Sequence, residues 1–169
     1  MQFFTKLKMR AKYLFIKENI YFFIFAIIVF FFDRFSKLKI VNNFNENSYY
    51  VNDFINLDLI WNIGIGFGLL STNSTLIYNL MTFLIGLVIL ILIYFLTISK
   101  KIDKFIYSII IGGALGNFYD RVIYKAVPDF IDLHYNNFHW FTFNVADIFI
   151  TIGIILLLAR DILIKNVKY

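Results

Sequence analysis

The sequence contains no cysteine, and this absence removes several kinds of chemistry at once. Disulfide bonds, a thiol nucleophile and thiolate metal ligands are all excluded. No serine stands in the pattern of a nucleophile elbow. No glycine-rich phosphate-binding motif is present either, because the small residues at 112–116 lie inside an apolar segment, where they favour close helix packing.

Charged residues are also scarce, at 16% of the chain, whereas hydrophobic residues make up 60% and the mean hydropathy is +0.75. This composition is too apolar for a soluble domain and favours an integral membrane protein. A helix needs about 20 apolar residues to cross a bilayer, so the length allows about four spans with short loops. The sequence has no internal repeat or low-complexity linker, and residues 1–169 are predicted to form a single membrane domain.

Four apolar segments are predicted to be transmembrane helices. They cover approximately residues 20–40, 76–99, 105–124 and 140–160. The first follows a basic stretch, as in a signal peptide, but no small-residue cleavage site comes after it, so we interpret it as an uncleaved anchor. Loops 41–75 and 122–138 then lie on the side of the membrane opposite both termini.

The net charge of +5 is distributed in a way that indicates membrane orientation rather than nucleic-acid binding. Eleven of the sixteen basic residues lie in three regions, at 6–17, 100–104 and 160–168. All three fall on one side of the four-span topology, and the positive-inside rule makes that side cytoplasmic. Both termini are therefore predicted to be cytoplasmic and both long loops extracytoplasmic.

The first extracytoplasmic loop carries a weak strand signal. Residues 55–61 partly alternate apolar and polar side chains, and residues 62–68 then bring three glycines within five positions. Such glycines indicate unusual backbone angles or close backbone approach. The predicted fold is therefore mainly α, with four transmembrane helices and a small antiparallel β-sheet in the first extracytoplasmic loop.

Four acids from separate segments converge at the predicted outer boundary: Asp33, Asp120, Asp129 and Asp147. Asp147 directly precedes an apolar run, and an ionisable group at such a depth is costly enough to suggest a function. Asp129 lies eighteen positions upstream. Two carboxylates that meet share one proton and can activate water without a metal or cofactor. That proton belongs to the pair rather than to either residue.

The other charged residues of these segments have simpler interpretations. Asp33 and Lys37 are spaced i, i+4 on a helix, and Asn117 lies one turn from both Asp120 and Arg121. An internal ion pair that ties helices together explains Asp120 beside Arg121 better than catalysis does. These pairs can satisfy one another, or they can orient backbone and substrate groups.

Two histidines in the second loop offer a weaker alternative. His134 and His139, with Asp132, could form a metal site, but interfacial aromatic residues beside Trp140 explain them better. The sequence therefore predicts no metal and no cofactor. A metal-dependent hydrolase that uses His134 would lose activity on chelation, whereas an aspartate pair would not.

Five motifs occur in an order that is specific to one family. They are DRFSK at 33–37, NIGIGFG at 62–68, GNFYDR at 116–121, VPDF at 127–130 and FNVAD at 143–147. With these motifs and four spans, nearly the whole chain resembles lipoprotein signal peptidase, the bacterial signal peptidase II. One departure is Gly66, where the family usually has alanine.

This resemblance implies an aspartic endopeptidase of the bacterial cytoplasmic membrane, with its active site on the extracytoplasmic side. Its substrates would be diacylglyceryl-modified prolipoproteins, cut just before the lipidated cysteine, and it would act as a monomer in contact with membrane lipid. Asp129 and Asp147 would be the catalytic pair. The residues implied to bind substrate or support the pair are Asn62, Gly64, Asn117, Arg121, Asn144, Asp33 and Lys37.

Two other classes of function remain open from the residues alone. A small transporter or proton-coupled channel would use Asp33, Asp120 and Asp147 as relay groups, but it should carry ionisable groups at several depths rather than near the outer ends. A non-catalytic membrane scaffold would tolerate replacement of these acids by amides.

Overall fold

The computed structural model describes residues 16–43, 48–64, 74–136 and 138–166, with backbone only from 163 onward. The described residues form four helices, which we number α1 (Lys17–Asn43), α2 (Thr75–Ile98), α3 (Lys101–Ile123) and α4 (Val145–Asn166). They also form four strands, β1 (Tyr49–Asn52), β2 (Ile55–Asn62), β3 (Val127–Tyr135) and β4 (Phe138–Phe143).

Helix α3 lies at the centre of the bundle, in contact with α1, α2 and α4. Glycines permit this close packing. A Cβ on Gly112 would lie 2.6 Å from the carbonyl oxygen of Ala26 in α1, and a Cβ on Gly113 would lie 2.6 Å from that of Ala146 in α4. The small residues of α3 therefore let two neighbouring helices approach its backbone directly, as the sequence predicted.

Among the described helices, α1 and α2 are long and apolar enough to cross a membrane. Helix α2 carries no charged residue, and its outward face is apolar, with Leu76 75% exposed and Phe83 62% exposed. Helices α3 and α4 carry charged side chains near both ends, which lowers their apolar content. Their ends contribute polar groups to the site described below.

A four-stranded antiparallel sheet, in the order β1-β2-β3-β4, is formed by the described residues. The strand predicted at residues 55–61 is present as β2. Two of the strands, β3 and β4, come from the second loop rather than the first, so the predicted sheet was only half of the observed one. Asp129 consequently lies within a strand that is paired on both sides.

The fourth helix begins at Val145, five residues later than the predicted span at 140–160. Residues 138–143 form β4 instead, paired with β3. The run Phe-His-Trp-Phe-Thr-Phe is rich in aromatic side chains, which favour strands as readily as they favour membrane helices. Pairing with β3 decides between the two.

Some predictions fall on residues outside those described. They include Gly66 and the rest of the glycine-rich segment after Gly64, and the basic residues before residue 16 and after residue 166. The predicted orientation of the termini and the position of the glycine-rich segment therefore remain predictions.

Candidate active site

Two aspartates lie at the junction between the sheet and the helices. Asp129 is near the start of β3 and is 3% exposed, and Asp147 is in the first turn of α4 and is partly buried. Three asparagine side chains, from β2, α3 and the β4–α4 junction, donate hydrogen bonds to these carboxylates. The site is therefore assembled from four separate segments of the chain.

Asn144 joins the two acids. Its Nδ2 donates to Asp129 Oδ1 over 2.6 Å, and its backbone N–H donates to Asp147 Oδ2 over 3.2 Å. The backbone N–H of Asp147 donates back to Asn144 Oδ1 over 3.2 Å. This reciprocal pattern is a capping box at the start of α4, in which an Asn caps the helix and an acid three residues later returns the bond. Ordinary helix capping thus fixes Asp147 relative to Asp129.

Asn62, the last residue of β2, holds the other oxygen of Asp129. Its Nδ2 donates to Asp129 Oδ2 over 2.8 Å, while its Oδ1 accepts the backbone N–H of Gly64 over 2.7 Å. The second bond closes an Asx turn and fixes which end of the amide faces the acid. Asp129 therefore receives one amide donor on each oxygen.

Asn117 of α3 has the equivalent role for Asp147. Its Nδ2 donates to Asp147 Oδ1 over 2.8 Å, and its Oδ1 accepts a hydrogen bond from Lys37 Nζ over 2.8 Å. Because Lys37 can only donate, the amide has one orientation. The four carboxylate oxygens of the pair thus each accept an N–H group, so the surroundings are arranged for carboxylate acceptors.

A buried ion-pair cluster lies beneath this pair. Lys37 Nζ is 2.8 Å from Asp33 Oδ2 and 2.8 Å from Asp120 Oδ2, and all three side chains are fully buried. Arg34 forms a further ion pair with Asp120. Two cations thus balance two carboxylates, which keeps the formal charge of the cluster at zero.

Asp33 also connects this cluster to α4. Its Oδ1 accepts the backbone N–H of Ala146 over 2.9 Å, which satisfies one of the free N–H groups of the first helical turn. Gly116 of α3 provides the space, since a Cβ there would overlap Asp33 Oδ2. Helices α1, α3 and α4 are therefore held together at the level of the acids.

Arg121 anchors the segment that follows β2. Its Nη2 donates to the carbonyl oxygen of Gly64 over 3.0 Å, and its Nη1 donates to the carbonyl oxygen of Asn117 over 3.2 Å. A guanidinium can reach both acceptors at once because its donors form a fixed fork. Arg121 thus ties the Asn62–Gly64 turn to α3 without contacting either acid directly.

Burial and charge shift the titration of Asp129. Loss of water around Asp129 is the largest cause that raises its pKa, to about 6, and the negative charge of Asp147 raises it further. Hydrogen bonds from Asn62 and Asn144, together with the Lys37 charge, partly oppose this shift. A carboxyl with such a pKa carries a proton for part of the time near neutral pH, which a water-activating pair requires.

The residues predicted from the sequence lie in one connected set. Hydrogen bonds and ion pairs join all nine of them into one network, to which Asp33 is connected through Lys37. They are Asp33, Lys37, Asn62, Gly64, Asn117, Arg121, Asp129, Asn144 and Asp147. Sequence reasoning gave no role to Arg34 or to the backbone of Ala146. The Asn-x-x-Asp capping pattern at 144–147 was a readable signal for the link between the acids.

Comparisons with known proteins show which family the chain belongs to. The sequence pattern of the family described as Signal peptidase (SPase) II matches residues 25–163. A protein named lipoprotein signal peptidase, from Pelagibacter ubique, is 48% identical over 148 residues, which are 86% of this chain and 89% of that protein. Its namesake from Francisella tularensis subsp. novicida is 36% identical over 157 residues, or 89% of this chain and 97% of that protein.

Two solved structures, each described as a bacterial membrane enzyme, have a similar fold. One superimposes with a TM-score of 0.73 at 31% identity and covers 86% of this chain and 90% of its own. The other has a TM-score of 0.66 at 31% identity, covering 81% and 89%. These matches define the class as a peptidase, a hydrolase of peptide bonds. The chain belongs to the signal peptidase II family.

Proposed function

We propose that this protein is a membrane aspartic endopeptidase that removes signal peptides from diacylglyceryl-modified prolipoproteins, cutting just before the lipidated cysteine. The substrate class is supported by relatives named lipoprotein signal peptidase at 48% and 36% identity. The aspartic mechanism is supported by the hydrogen bonds of Asn144, which hold Asp129 and Asp147 at one junction. That link between a strand acid and a helix acid is the observation that carries the proposal.

In the proposed reaction the two acids share one proton. The ionised carboxylate takes a proton from water as the oxygen attacks the scissile carbonyl carbon, and the protonated carboxyl donates to the carbonyl oxygen. As the tetrahedral intermediate collapses and the C–N bond breaks, the acid that took the proton from water gives it to the leaving amine. The other acid recovers its proton from a hydroxyl of the intermediate, which restores the pair. Asn62, Asn117 and Asn144 hold the acids in place during these steps, and no metal or cofactor is needed.

An apolar cavity beside Asp147 fits a substrate that carries lipid. It has a volume of about 320 Å³ and is lined by Leu133, Phe141, Phe143, Asp147, Ile148, Thr151 and Ile152. Pockets with a mostly apolar lining and a few polar groups are typical of ligand sites. An acyl chain or an apolar peptide segment in this cavity would bring the adjoining peptide bond to the acids.

We also propose that all four helices cross the membrane, with both termini cytoplasmic and the acids on the extracytoplasmic side of a bacterial cytoplasmic membrane. The apolar outward faces of α1 and α2 and the similar membrane enzymes support the spans. The basic residues of loop 100–104, which follow the positive-inside rule, support the orientation. We further propose that a single chain acts alone with its lipid surroundings, since the described residues of one chain supply both acids and a hydrogen-bond donor to each of their four oxygens.

The decisive experiment measures cleavage of a diacylglyceryl-modified prolipoprotein by the purified protein in detergent, with a chelator present. We expect Asp129→Asn and Asp147→Asn each to lower turnover by at least about 1,000-fold, because removal of one member of a catalytic unit disables the whole. Asp53→Asn is the matched control, since Asp53 is an exposed acid that bonds Tyr50 at the hairpin of the same sheet.

The outcomes separate the competing functions. Cleavage by the wild type and the control alone supports an aspartic pair that works without metal. Near-normal turnover by either pair variant refutes the assignment of that acid. Failure of folded wild-type protein on several such substrates would instead favour the transporter or scaffold, and acid-dependent flux in proteoliposomes would distinguish these two.

A further inference from the structure

A second group of ionisable side chains lies in the sheet, away from the acid pair. Asp132 and His134 are both on β3, two residues apart, and are 4% and 6% exposed. Side chains alternate between the faces of a strand, so these two share a face, while Asp129 points to the other one. This group is therefore separate from the proposed catalytic site.

An irregularity in β4 adds His139 to the group. Asp132 lies opposite Thr142, and Leu133 lies opposite Phe141. The register then shifts by one residue, so that His134 lies opposite His139 and no residue of β3 lies opposite Trp140. Without this bulge, the side chain of His139 would lie on the same face of the sheet as Phe141. A bulge turns a side chain to the opposite face and is a common device for doing so. Here it brings the second histidine of the chain against the first.

The polar atoms of the three side chains converge. His139 Nδ1 is 2.7 Å from Asp132 Oδ2, and His134 Nδ1 is 3.7 Å from the same oxygen. The two imidazole rings are stacked, with centroids 5.3 Å apart. One ligand atom from each residue lies within 4.8 Å of the others. The Nδ1 atoms of both histidines thus face the same carboxylate oxygen of Asp132.

Two buried atoms at this place have no hydrogen-bond partner among the described residues. One is His134 Nδ1, and the other is Oδ1 of Asn56, which lies directly opposite Asp132 on β2. A buried polar atom without a partner is costly, and such an atom calls for an explanation such as an ion or an ordered water. A cation bound by Asp132, His134 and His139 would give His134 Nδ1 a partner. A water on that ion could donate to Asn56.

We propose that Asp132, His134 and His139 bind a divalent transition-metal ion of the zinc type. Two imidazole nitrogens and one carboxylate oxygen, with the water beside Asn56 as the fourth ligand, would give Zn²⁺ its usual four-coordinate site. Ligand atoms around a tetrahedral zinc lie about 2.0–2.2 Å from it and hence about 3.3–3.6 Å apart. The present separations of 2.7 and 3.7 Å bracket that range, and the exposed imidazole of His139 can move outward to admit the ion.

The ion would have a structural role in this site. It would fasten β4 to β3 three residues beyond Asp129, on the strand that carries this acid. It contacts neither acid of the pair, so cleavage does not proceed through it. This inference is independent of the proposed peptidase activity, and its test does not use that activity.

The experiment uses the full chain in detergent, purified with an affinity tag that contains no histidine and stripped of metal by a chelator. ZnCl₂ is titrated by calorimetry, and thermal unfolding is followed with and without Zn²⁺. We expect one ion per chain and a rise in the melting temperature, because an ion that binds the folded state stabilises it. Co²⁺ in place of Zn²⁺ should give the visible absorption of a four-coordinate site.

Three variants make the test specific. His139→Phe keeps an aromatic ring against His134 but removes the ligand nitrogen, and Asp132→Asn removes the charge. Each should weaken binding roughly 10- to 100-fold or more, since even partners of metal ligands contribute that much. Asp53→Asn, on the neighbouring hairpin, should bind as the wild type does. Absence of stoichiometric binding at micromolar Zn²⁺, or equal affinity in all variants, would overturn the proposal and leave a hydrogen-bonded Asp–His pair.

Discussion

Lys37 donates a hydrogen bond to Asn117 Oδ1 over 2.8 Å, and this contact decides which end of the Asn117 amide faces Asp147. The same ammonium group lies between the carboxylates of Asp33 and Asp120. A buried cation is therefore connected to the acid pair through one amide. The ion-pair cluster and the proposed catalytic site are parts of one arrangement, so a change in one should be measurable in the other.

Replacement of Lys37 by methionine should destabilise the protein by about 3–5 kcal/mol, because it leaves a buried carboxylate without its partner. Unfolding by denaturant in detergent measures this change. Lys39→Met, at an exposed position two residues further along α1, is the matched control and should have little effect. Addition of Asp33→Asn to Lys37→Met should recover part of the loss, and a double variant less stable than the single one would contradict this account.

The pH dependence of cleavage should respond to Asn62. Burial and the charge of Asp147 raise the pKa of Asp129 to about 6. As the pH rises above this value, the singly protonated pair is lost and kcat/KM should fall. Asn62→Leu removes a donor that favours the charged form, so the pKa should rise and the alkaline limb should move to higher pH. The shift should be about one unit, since a hydrogen bond to a charged group is worth about 1.5 kcal/mol.

A profile of kcat/KM between pH 4 and 9 measures this shift. Asn43→Ala, which removes an exposed side-chain bond at the end of α1, should leave the profile unchanged. Movement of the alkaline limb to lower pH in Asn62→Leu would contradict the role assigned to this amide.

Gly116 should not tolerate alanine. The added Cβ would overlap Asp33 Oδ2, and the displaced carboxylate would lose the Ala146 N–H bond and the Lys37 ion pair. We expect a loss of stability of about 1–3 kcal/mol, as for overpacking in a core, together with reduced turnover. Gly86→Ala in α2 is the control, because its Cβ would meet the end of the Phe118 ring at 3.2 Å, which can move. Comparable losses in both variants would show that the clash with Asp33 is not the cause.

Arg121→Lys should lower kcat/KM roughly tenfold while the protein still folds. A lysine cannot donate to Gly64 and Asn117 at once, and loss of one bond from a charged donor costs about 1.5–3 kcal/mol. The turn that carries Asn62 would then be held less firmly against α3. Arg160→Lys, at the other end of the bundle, should retain full activity. Wild-type kinetics in Arg121→Lys would show that the fork is not needed.

Much of the helical fold was readable from local sequence, but the extent of the sheet was not. Residues 55–61 alternate in a way that predicts a strand, and β2 is found there. Residues 138–143 contain four aromatic side chains and no Asp, Glu, Lys or Arg, and their pairing with β3 makes them a strand. Apolar runs of this length do not distinguish helix from strand by periodicity.

The convergence of the acids could be predicted because the predicted four-span topology places the ends of their segments at one depth. The groups that hold the acids were harder to infer, since several are backbone atoms, such as the N–H of Ala146 that bonds Asp33. Almost every residue has a backbone N–H, so the sequence does not show which one will bond a given acid. The bulge that turns His139 was also invisible, because it depends on the register between two strands.

The junction at Asn144 has a mechanical consequence. One acid of the pair belongs to the sheet and the other to the helix bundle, and Asn144 is the residue between β4 and α4 that bonds both. The distance between the two carboxylates therefore depends on how the sheet and the helix bundle are oriented relative to each other. Any force that tilts the sheet against the helices would change the separation of the two proposed catalytic acids.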